Sequence, residues 1–226
     1  MEQSVIVTGA SGNLGSGVVK KLKAAGYRVL GTVGSPGSAE ALQKEGIEAT
    51  PLDLSDEEAV QRYIDNKADG VFAAVLTVGG FATGSFCNTN GEALRRMYQL
   101  NFETSYFLAR ALLPIFEKRG GGQFVLVGSR PALEAKEGKD LIAYAFSKRL
   151  VFYLSELINV YGKGKNISAS VIVPSTIDTP ANRQAIPHAD FSKWVTPEAI
   201  ADTICFLLSD SGRQIREGVV KLYNEA

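Results

Sequence analysis

Hydrophobic residues along the chain fall into two alternating patterns. Short runs rich in valine and isoleucine, such as residues 4–8 and 167–173, are typical of strands buried on both faces. Between these runs lie stretches whose apolar positions recur at helical spacing. Because strand and helix patterns alternate, the sequence predicts an α/β fold with a doubly wound parallel sheet of about seven strands and helices on both faces.

Seven segments are predicted as strands: residues 4–8, 27–33, 47–52, 70–78, 123–127, 167–173 and 219–222. Helices are predicted over residues 13–25, 39–45, 55–66, 91–118, 141–161 and 197–208. Gly26 is suited to a left-handed cap after the first helix. Ser55 and Glu58 form a capping box, and Thr196 caps the last helix. Pro114 is expected to end or bend the long helix that contains it.

Composition limits the classes of protein that fit this pattern. The chain has 226 residues, 45% of them hydrophobic, and no repeat or linker divides it, so residues 1–226 are predicted to be a single domain. The 24 basic residues are balanced by 24 acidic ones, which argues against nucleic acid or an anionic membrane as partner. We therefore expect a small-molecule partner.

The start of the sequence, its apolar runs and its cysteines bear on where in the cell the protein is expected. The start, MEQSVIVTGA, carries an acidic residue where a signal peptide would be basic, so none is expected, and no apolar run has the length of a membrane-spanning helix. Cys87 and Cys205 have no metal-type spacing, and two thiols suit a reducing environment. We expect a cytoplasmic protein without a metal site.

A glycine-rich turn joins the first strand to the first helix. In TGASGNLG, residues 8–15, Gly9 permits a tight turn, Gly12 lets a pyrophosphate approach the backbone, and Gly15 allows close packing of the helix. The remaining turn positions expected to contact the cofactor are Ser11, Asn13 and Leu14. Amide groups at the helix start would hold negative charge. The turn predicts a Rossmann-type dinucleotide site, although glycine-rich turns without a ligand are also common.

The end of the second strand bears on the choice of cofactor. NAD-selective folds place an acidic residue there to bind the ribose hydroxyls, whereas this sequence reads GTVGSPGS. Ser35 or Ser38 could donate hydrogen bonds to a 2′-phosphate. The sequence therefore favours NADP(H) over NAD(H).

Several motifs occur in a fixed order along nearly the whole chain. They are TGASGNLG at 8–15, LDL at 52–54, LNFETSYFLARALLP at 100–114, VGSRPAL at 127–133, YAFSK at 144–148 and VPSTIDTP at 173–180. Together with the arrangement of Ser129, Tyr144 and Lys148, this order resembles the short-chain dehydrogenase/reductase family. The resemblance implies a reaction in which hydride passes between a nicotinamide and a substrate.

The spacing of the central pair supports that chemistry. Tyr144 and Lys148 are four residues apart, so both side chains leave the same face of a helix. We expect the lysine ammonium to favour the phenolate and to lower the pKa of Tyr144 toward neutrality. Tyr144 would then act as general acid while Ser129 orients the substrate oxygen. The alternative is an ordinary tyrosine and lysine exposed on a helix.

The resemblance also implies roles for residues outside that pair. Asn101 would join a proton relay through its backbone carbonyl, Lys148 would hold the nicotinamide ribose, and Thr179 would contact the nicotinamide amide. Further cofactor contacts are implied for Asp53, Leu54, Thr77, Gly79, Pro174, Thr176 and Ile177. Asp53 could instead cap the following helix, and Asn101 could cap a bend or face solvent.

The sequence departs from the family pattern at three places. LTVGG at 76–80 replaces the usual NNAG, Ser175 follows Pro174 where glycine is usual, and the carboxy-terminal VVKLYNEA lacks a glycine-rich end. The resemblance implies a homo-oligomer, a dimer or a tetramer.

Two segments point to a branch of the family. Residues 78–84 and 178–202 resemble the dihydropteridine reductases, which reduce a quinonoid dihydropterin, although those enzymes typically have no serine at the Ser129 position. Phe81, Phe191 and Trp194 are expected either to line an aromatic cleft or to pack within a lid. His188 is expected to be a solvated loop residue.

Three functions remain open from the sequence. The first is NAD(P)H-dependent reduction of a small carbonyl or quinonoid substrate with Tyr144 as general acid. The second is a dihydropteridine reductase-like activity on a quinonoid pterin. The third is a non-catalytic NAD(P)-binding redox sensor, which has no need of a positioned phenol.

Overall fold

The computed structural model describes residues 3–225. The strands are β1 (Ser4–Thr8), β2 (Arg28–Val33), β3 (Glu48–Pro51), β4 (Val71–Leu76), β5 (Gly122–Val127), β6 (Ile167–Pro174) and β7 (Val219–Leu222). They form one parallel sheet in the order β3-β2-β1-β4-β5-β6-β7. The predicted doubly wound sheet of seven strands is confirmed.

Ten α-helices occur in the described part of the chain. They are α1 (Asn13–Ala24), α2 (Pro36–Lys44), α3 (Glu57–Lys67), α4 (Gly91–Tyr98), α5 (Thr104–Arg119), α6 (Arg130–Leu133), α7 (Ala135–Gly138), α8 (Ile142–Gly162), α9 (Pro180–Ala185) and α10 (Pro197–Leu208). Within residues 3–225, no helix is both long and apolar enough to cross a membrane.

The sheet separates two hydrophobic cores. One core joins the inward sides of α1, α2 and α10 to one face of the sheet, and the other joins α3, α5 and α8 to the opposite face. All six residues of β4 are buried, as expected for a central strand covered on both sides. The strand order reverses between β1 and β4, so the ligand crevice of such a sheet lies beyond the carboxyl ends of these strands.

Two predicted helix caps are correct and one is wrong. Gly26 has φ +88°, and the Thr196 hydroxyl accepts a hydrogen bond from the Ala199 amide at the start of α10. The cap of α3 is Asp56, whose carboxylate accepts from the Ala59 amide, and not Ser55. Because α3 begins at Glu57, Asp56 and not Ser55 occupies the N-cap position, while the Ser55 hydroxyl and amide donate to Asp53 Oδ1 in the preceding turn.

The long helix predicted over residues 91–118 is divided. A π-helical turn at Gln99–Glu103 separates α4 from α5. Pro114 does not end the helix, which continues to Arg119. Pro114 is exposed, so water can replace the backbone hydrogen bond that a proline cannot donate.

The sequence analysis did not identify three short helices. They are α6 and α7, which follow β5, and α9, which follows β6. Each has six residues or fewer, too short for a helical period to be recognised. All three lie after strands at the edge of the sheet where the predicted site residues are located.

The start of β5 provides a test of core packing. A Cβ added to Gly122 would lie 2.2 Å from the Phe116 ring, which is fully buried. We expect Gly122→Ala to lower the free energy of unfolding by roughly 2 kcal/mol, because the surrounding core must shift. Gly37→Ala is the control, since a Cβ there meets open space in α2. It should raise stability by about 0.5 kcal/mol.

Urea unfolding of both variants measures these changes. Equal changes in the free energy of unfolding for the two variants would show that close packing against Phe116 is not the reason why position 122 requires glycine.

Candidate active site

The glycine turn between β1 and α1 has a geometry that only glycine permits. Gly9 has φ +61°, and a Cβ on Gly15 would lie 2.1 Å from the Gly9 carbonyl oxygen. The Gly12 amide donates to that same carbonyl at 2.8 Å. Ser11, Gly12 and Asn13 are exposed around the turn.

The first turn of α1 leaves its amide groups open. Gly12 is the N-cap residue, and no side chain accepts a hydrogen bond there. Helix amides without a side-chain cap, next to a surface that a Cβ would fill, are suited to bind the phosphates of a dinucleotide. The residues at this turn therefore fit the cofactor that the sequence predicts. Leu14 is half-buried beside the opening and Gly15 is buried.

Thr8 ties this turn to the end of β4. Its buried hydroxyl accepts hydrogen bonds from the amides of Thr77, at 3.0 Å, and Val78, at 3.3 Å. In return, the Thr77 hydroxyl donates to the Thr8 carbonyl at 2.5 Å. Thr8 was not among the predicted site residues. Its position directly before the glycine turn is the sequence feature that could have indicated this structural role.

The expected adenine side of the site lies at the ends of β2 and β3. Ser35 caps α2, and its exposed hydroxyl donates to Ser38 Oγ at 2.9 Å. Hydrogen bonds from the Ser55 hydroxyl and amide hold the pKa of Asp53 below its usual value. Asp53 is exposed and does not cap α3, whereas Leu54 is buried in the core.

The structure brings Ser129 and Tyr144 together. Ser129 follows β5 and is only 4% exposed, and its hydroxyl has no hydrogen-bond partner of good geometry among the described residues. The same hydroxyl lies near enough to the Tyr144 phenol to lower its pKa. The Phe81 ring packs edge-on against the Tyr144 ring, with centroids 5.0 Å apart.

The expectation that Lys148 lowers the pKa of Tyr144 toward neutrality is wrong for this structure. Burial raises the pKa of the phenol above its ordinary value, and only the Ser129 hydroxyl opposes this effect. Lys148 Nζ instead donates to the Val127 carbonyl at 2.8 Å. The ammonium thus points to the end of β5 and not at the phenol.

Lys148 is a buried cation. The residue is 6% exposed, and burial lowers its pKa to about 8, because a charged amine loses hydration inside the protein. A Cβ added to Gly79 would lie 3.1 Å from Lys148 Nζ, so the ammonium also borders the loop after β4. This loop contacts the glycine turn through Thr77 and Val78.

Asn101 fixes the same loop from the π-helical turn. Its Oδ1 accepts from the Gly80 amide at 2.9 Å, and its Nδ2 donates to the Gly80 carbonyl at 3.1 Å and to Ser147 Oγ at 2.9 Å. The Ser147 hydroxyl donates to the Tyr144 carbonyl. Asn101 is fully buried and therefore does not face solvent.

The segment after β6 is held mainly by backbone contacts. Pro174 ends the strand, and Thr176 accepts at its carbonyl from the Val195 amide. Ile177 forms an isolated parallel bridge with Val195. Thr179 is 7% exposed and caps α9, since its hydroxyl accepts from the Asn182 amide.

The segment expected over the substrate packs mostly on itself. The rings of Phe191 and Trp194 lie 4.8 Å apart, and Trp194 is buried, which matches a packed lid better than an open cleft for this pair. Phe81 is different, because 64% of it is exposed. His188 is exposed, as expected. Arg183 forms a bidentate ion pair with Asp178, in which Nε and Nη2 donate to the two carboxylate oxygens.

A continuous series of contacts links most of the predicted site. It runs from Gly9 to the loop after β4, from that loop to Lys148, and from the end of β5 to Tyr144. Ser35 and Asp53 lie outside this series, although both follow strands at the same edge of the sheet. Among the described residues, no group of three or more histidine, cysteine or acidic side chains could hold a metal ion.

Comparison with known proteins gives consistent results. The short chain dehydrogenase family model matches residues 3–190. The uncharacterized oxidoreductase YmfI of Bacillus subtilis is 26% identical over an alignment of 231 positions, which covers 95% of this chain and 95% of that protein. Dihydropteridine reductase of Dictyostelium discoideum is 26% identical over 211 residues, covering 90% of this chain and 87% of that protein.

A solved structure shares the fold. ElxO with NADP bound has a TM-score of 0.90 at 22% identity, covering 98% of this chain and 97% of that chain. Since the family model spans most of the sequence, and the fold and the ordered motifs agree with it, the chain belongs to the short-chain dehydrogenase/reductase family of NAD(P)-dependent oxidoreductases.

Proposed function

We propose that the protein reduces a small carbonyl or quinonoid substrate with NAD(P)H and that Tyr144 supplies the proton. The observation that carries this proposal is the Ser129 hydroxyl, which is buried beside the Tyr144 phenol without a good partner. A buried hydroxyl without a partner is costly. An oxygen atom of the substrate would satisfy it and would meet the phenol at the same point.

The residues around this point fit a bound nicotinamide cofactor. The glycine turn would hold the pyrophosphate, Lys148 the nicotinamide ribose, and the backbone near Thr77 and Gly79 the intervening part. Pro174, Thr176, Ile177 and Thr179 would border the nicotinamide. When bound, the nicotinamide supplies hydride to the substrate. The NADP bound in ElxO, whose fold this chain shares, supports the same class of cofactor.

We propose NADP(H) as the preferred cofactor. No acidic side chain follows β2, where Gly34, Ser35 and Pro36 occur, so a 2′-phosphate meets no repulsion there. Ser35 and Ser38 lie at the start of α2, and the hydroxyls of the exposed Ser35 and the half-buried Ser38 can reorient from each other toward a phosphate.

The protonation state of Tyr144 suits a proton donor. Burial raises the pKa of Tyr144, so the phenol stays protonated at neutral pH and can donate. Donation leaves a phenolate, which the Ser129 hydroxyl stabilises by hydrogen bonding. Asn101 keeps the loop after β4 in place beside the Lys148 ammonium and would take part in returning the proton.

A quinonoid pterin is the second candidate substrate. The relative from Dictyostelium discoideum is a dihydropteridine reductase, and its match covers most of both chains. The exposed Phe81 ring next to Tyr144 would suit a flat heterocycle. Ser129 favours an ordinary carbonyl oxygen instead, so both substrate classes belong in the test.

We also propose that the protein is a homo-oligomer of the cytoplasm. Four exposed apolar residues on α8, Phe146, Tyr153, Leu157 and Val160, are seven, four and three residues apart and share one helix face. Such a stripe suits pairing with the same stripe of a second copy across a twofold axis. Both cysteines are free thiols, which suits a reducing compartment.

The role of Tyr144 is tested by Tyr144→Phe, which removes the hydroxyl and keeps the ring. We expect kcat/KM to fall at least about 100-fold, since a positioned general acid contributes on the order of 10² to 10⁴. Binding of NADPH should be unchanged. The assay follows NADPH and NADH oxidation with a panel of ketones and quinones and with a quinonoid dihydropterin, and we expect higher rates with NADPH.

Tyr161→Phe is the matched control, because it removes a hydroxyl from an exposed tyrosine on the same helix. Its rates should equal those of the unaltered protein. Normal turnover in Tyr144→Phe would remove the proposed acid, and cofactor binding without turnover of any acceptor would favour the redox sensor.

The buried ammonium of Lys148 is tested by the pH dependence of stability without cofactor. Its pKa of about 8 in the folded state lies below the ordinary 10.5, so its burial penalty is full below pH 8 and disappears between pH 8 and 10.5. Relative to Lys148→Met, the unaltered protein should gain on the order of 3 kcal/mol of stability from pH 7 to 10.5, since a tenfold change in proton affinity corresponds to about 1.4 kcal/mol.

Urea unfolding of both proteins across this pH range gives the difference directly. Parallel curves for the two proteins would mean that Lys148 keeps its ordinary proton affinity in the folded chain.

The oligomer is tested by Leu157→Glu. Leu157 is 49% exposed, so a carboxylate there should not disturb the core but should repel its counterpart in a second copy. We expect sedimentation to show an oligomer for the unaltered protein and a smaller species for the variant. Lys163→Glu, which follows the stripe, is the control and should sediment like the unaltered protein. A monomeric unaltered protein would refute the proposal.

A further inference from the structure

A small cavity lies at the opposite edge of the sheet from the candidate active site. It has a volume of about 200 Å³ and lies where β5 begins and the chain enters β1. Its polar lining consists of Gln3, Arg119, Gln123, Asn166, Arg213 and Arg216. Three arginines, Arg119 from one part of the sequence and Arg213 and Arg216 from another, therefore line one small space.

This cluster is unusual for a chain with no net charge. The ion pair present is between Arg213 Nη2 and Asp210 Oδ1, at 3.3 Å, and the Asp210 side chain is 97% exposed. Arg216 donates to the neutral Asn166 Oδ1 at 2.8 Å. Arg119 has no ion-pair partner among residues 3–225. The positive charge of the cavity is thus largely uncompensated.

One donor in the cavity is buried and lacks an acceptor. Arg213 Nε is inaccessible to solvent and makes no hydrogen bond within the described chain. Buried donors are nearly always paired, and an unpaired nitrogen on a charged group carries a large desolvation cost. The Arg213 side chain as a whole is 37% exposed, so an acceptor that enters the cavity can reach the rest of its guanidinium group.

Helix electrostatics explain only part of this arrangement. Arg119 lies in the last turn of α5, where a cation complements the negative end of the helix. Arg213 and Arg216 follow α10 and lie outside its last turn. The convergence of three guanidiniums and the unpaired Nε need another cause.

We propose that this cavity binds the oxyanion group, phosphoryl or carboxylate, of a small anionic metabolite. Guanidinium groups present paired N–H donors that match both kinds of oxyanion. Phe72 and the Gly120–Gly122 backbone form the apolar and neutral remainder of the wall. A space of this volume accepts one such group and its nearest atoms but not a dinucleotide. This site is separate from the proposed reductase site and does not depend on it.

The experiment measures binding of inorganic phosphate and of succinate by calorimetry at constant ionic strength. At least one of the two anions should bind the unaltered protein, and the stronger of them identifies the oxyanion class. In Arg213→Gln/Arg216→Gln the dissociation constant should rise at least tenfold. Arg119→Gln, at an exposed position, should raise it severalfold and carries the test if the double variant does not fold.

Arg62→Gln is the matched control, because it removes the same charge from an exposed position on α3. It should bind like the unaltered protein. Anions held at the glycine turn of α1 would be unaffected by any of these substitutions, so the comparison isolates the arginine cavity. Absence of binding of both anions, or equal binding by the cavity variants and the control, would overturn the proposal.

Discussion

The hydrogen bond between Lys148 Nζ and the Val127 carbonyl is the contact on which the site depends. It joins α8, which carries Tyr144, to the end of β5, which leads into Ser129. A buried ammonium is costly, and one carbonyl compensates for only part of its lost hydration. The site therefore holds a positive charge that a bound partner can stabilise further. The lowered pKa of Lys148 reflects this incomplete stabilisation of the ammonium.

Neutral hydrogen bonds hold the loops around this charge. Thr8 pins the start of the loop after β4, and Asn101 clamps Gly80 of the same loop through both amide atoms. A buried side-chain amide that bonds both the N–H and the C=O of one residue is a rigid connection. The loop borders the glycine turn on one side and Lys148 on the other, so the contacts of Thr8 and Asn101 set the distance between the glycine turn and Lys148.

The strands and long helices could be predicted because each leaves a periodic signal in the sequence. The predicted range of β7 equals the observed one, and the cap at Thr196 is correct, since both depend on local residues. The short helices α6, α7 and α9 leave no such signal. Ser55 was misassigned because residue types alone do not fix where the turn before α3 ends, and the structure places the cap at Asp56.

The site shows the same division. The motifs selected Ser129, Tyr144, Lys148 and Asn101 as candidates, because residue type and order are visible in sequence. The direction of the Tyr144 pKa was wrong, because it depends on burial and on where the Lys148 ammonium points. The arginine cavity was not visible at all, since its members are far apart in sequence and only the fold brings them together.

The π-helical turn at Gln99–Glu103 has a consequence for the register of the helices on either side. A π turn accommodates one residue more than an α turn, and each residue rotates an α-helix by about 100°. The face that α4 presents is therefore offset from the face that α5 presents by the width of one side chain. In this way the segment directs one buried amide, that of Asn101, away from the apolar face of α5 and toward the loop after β4.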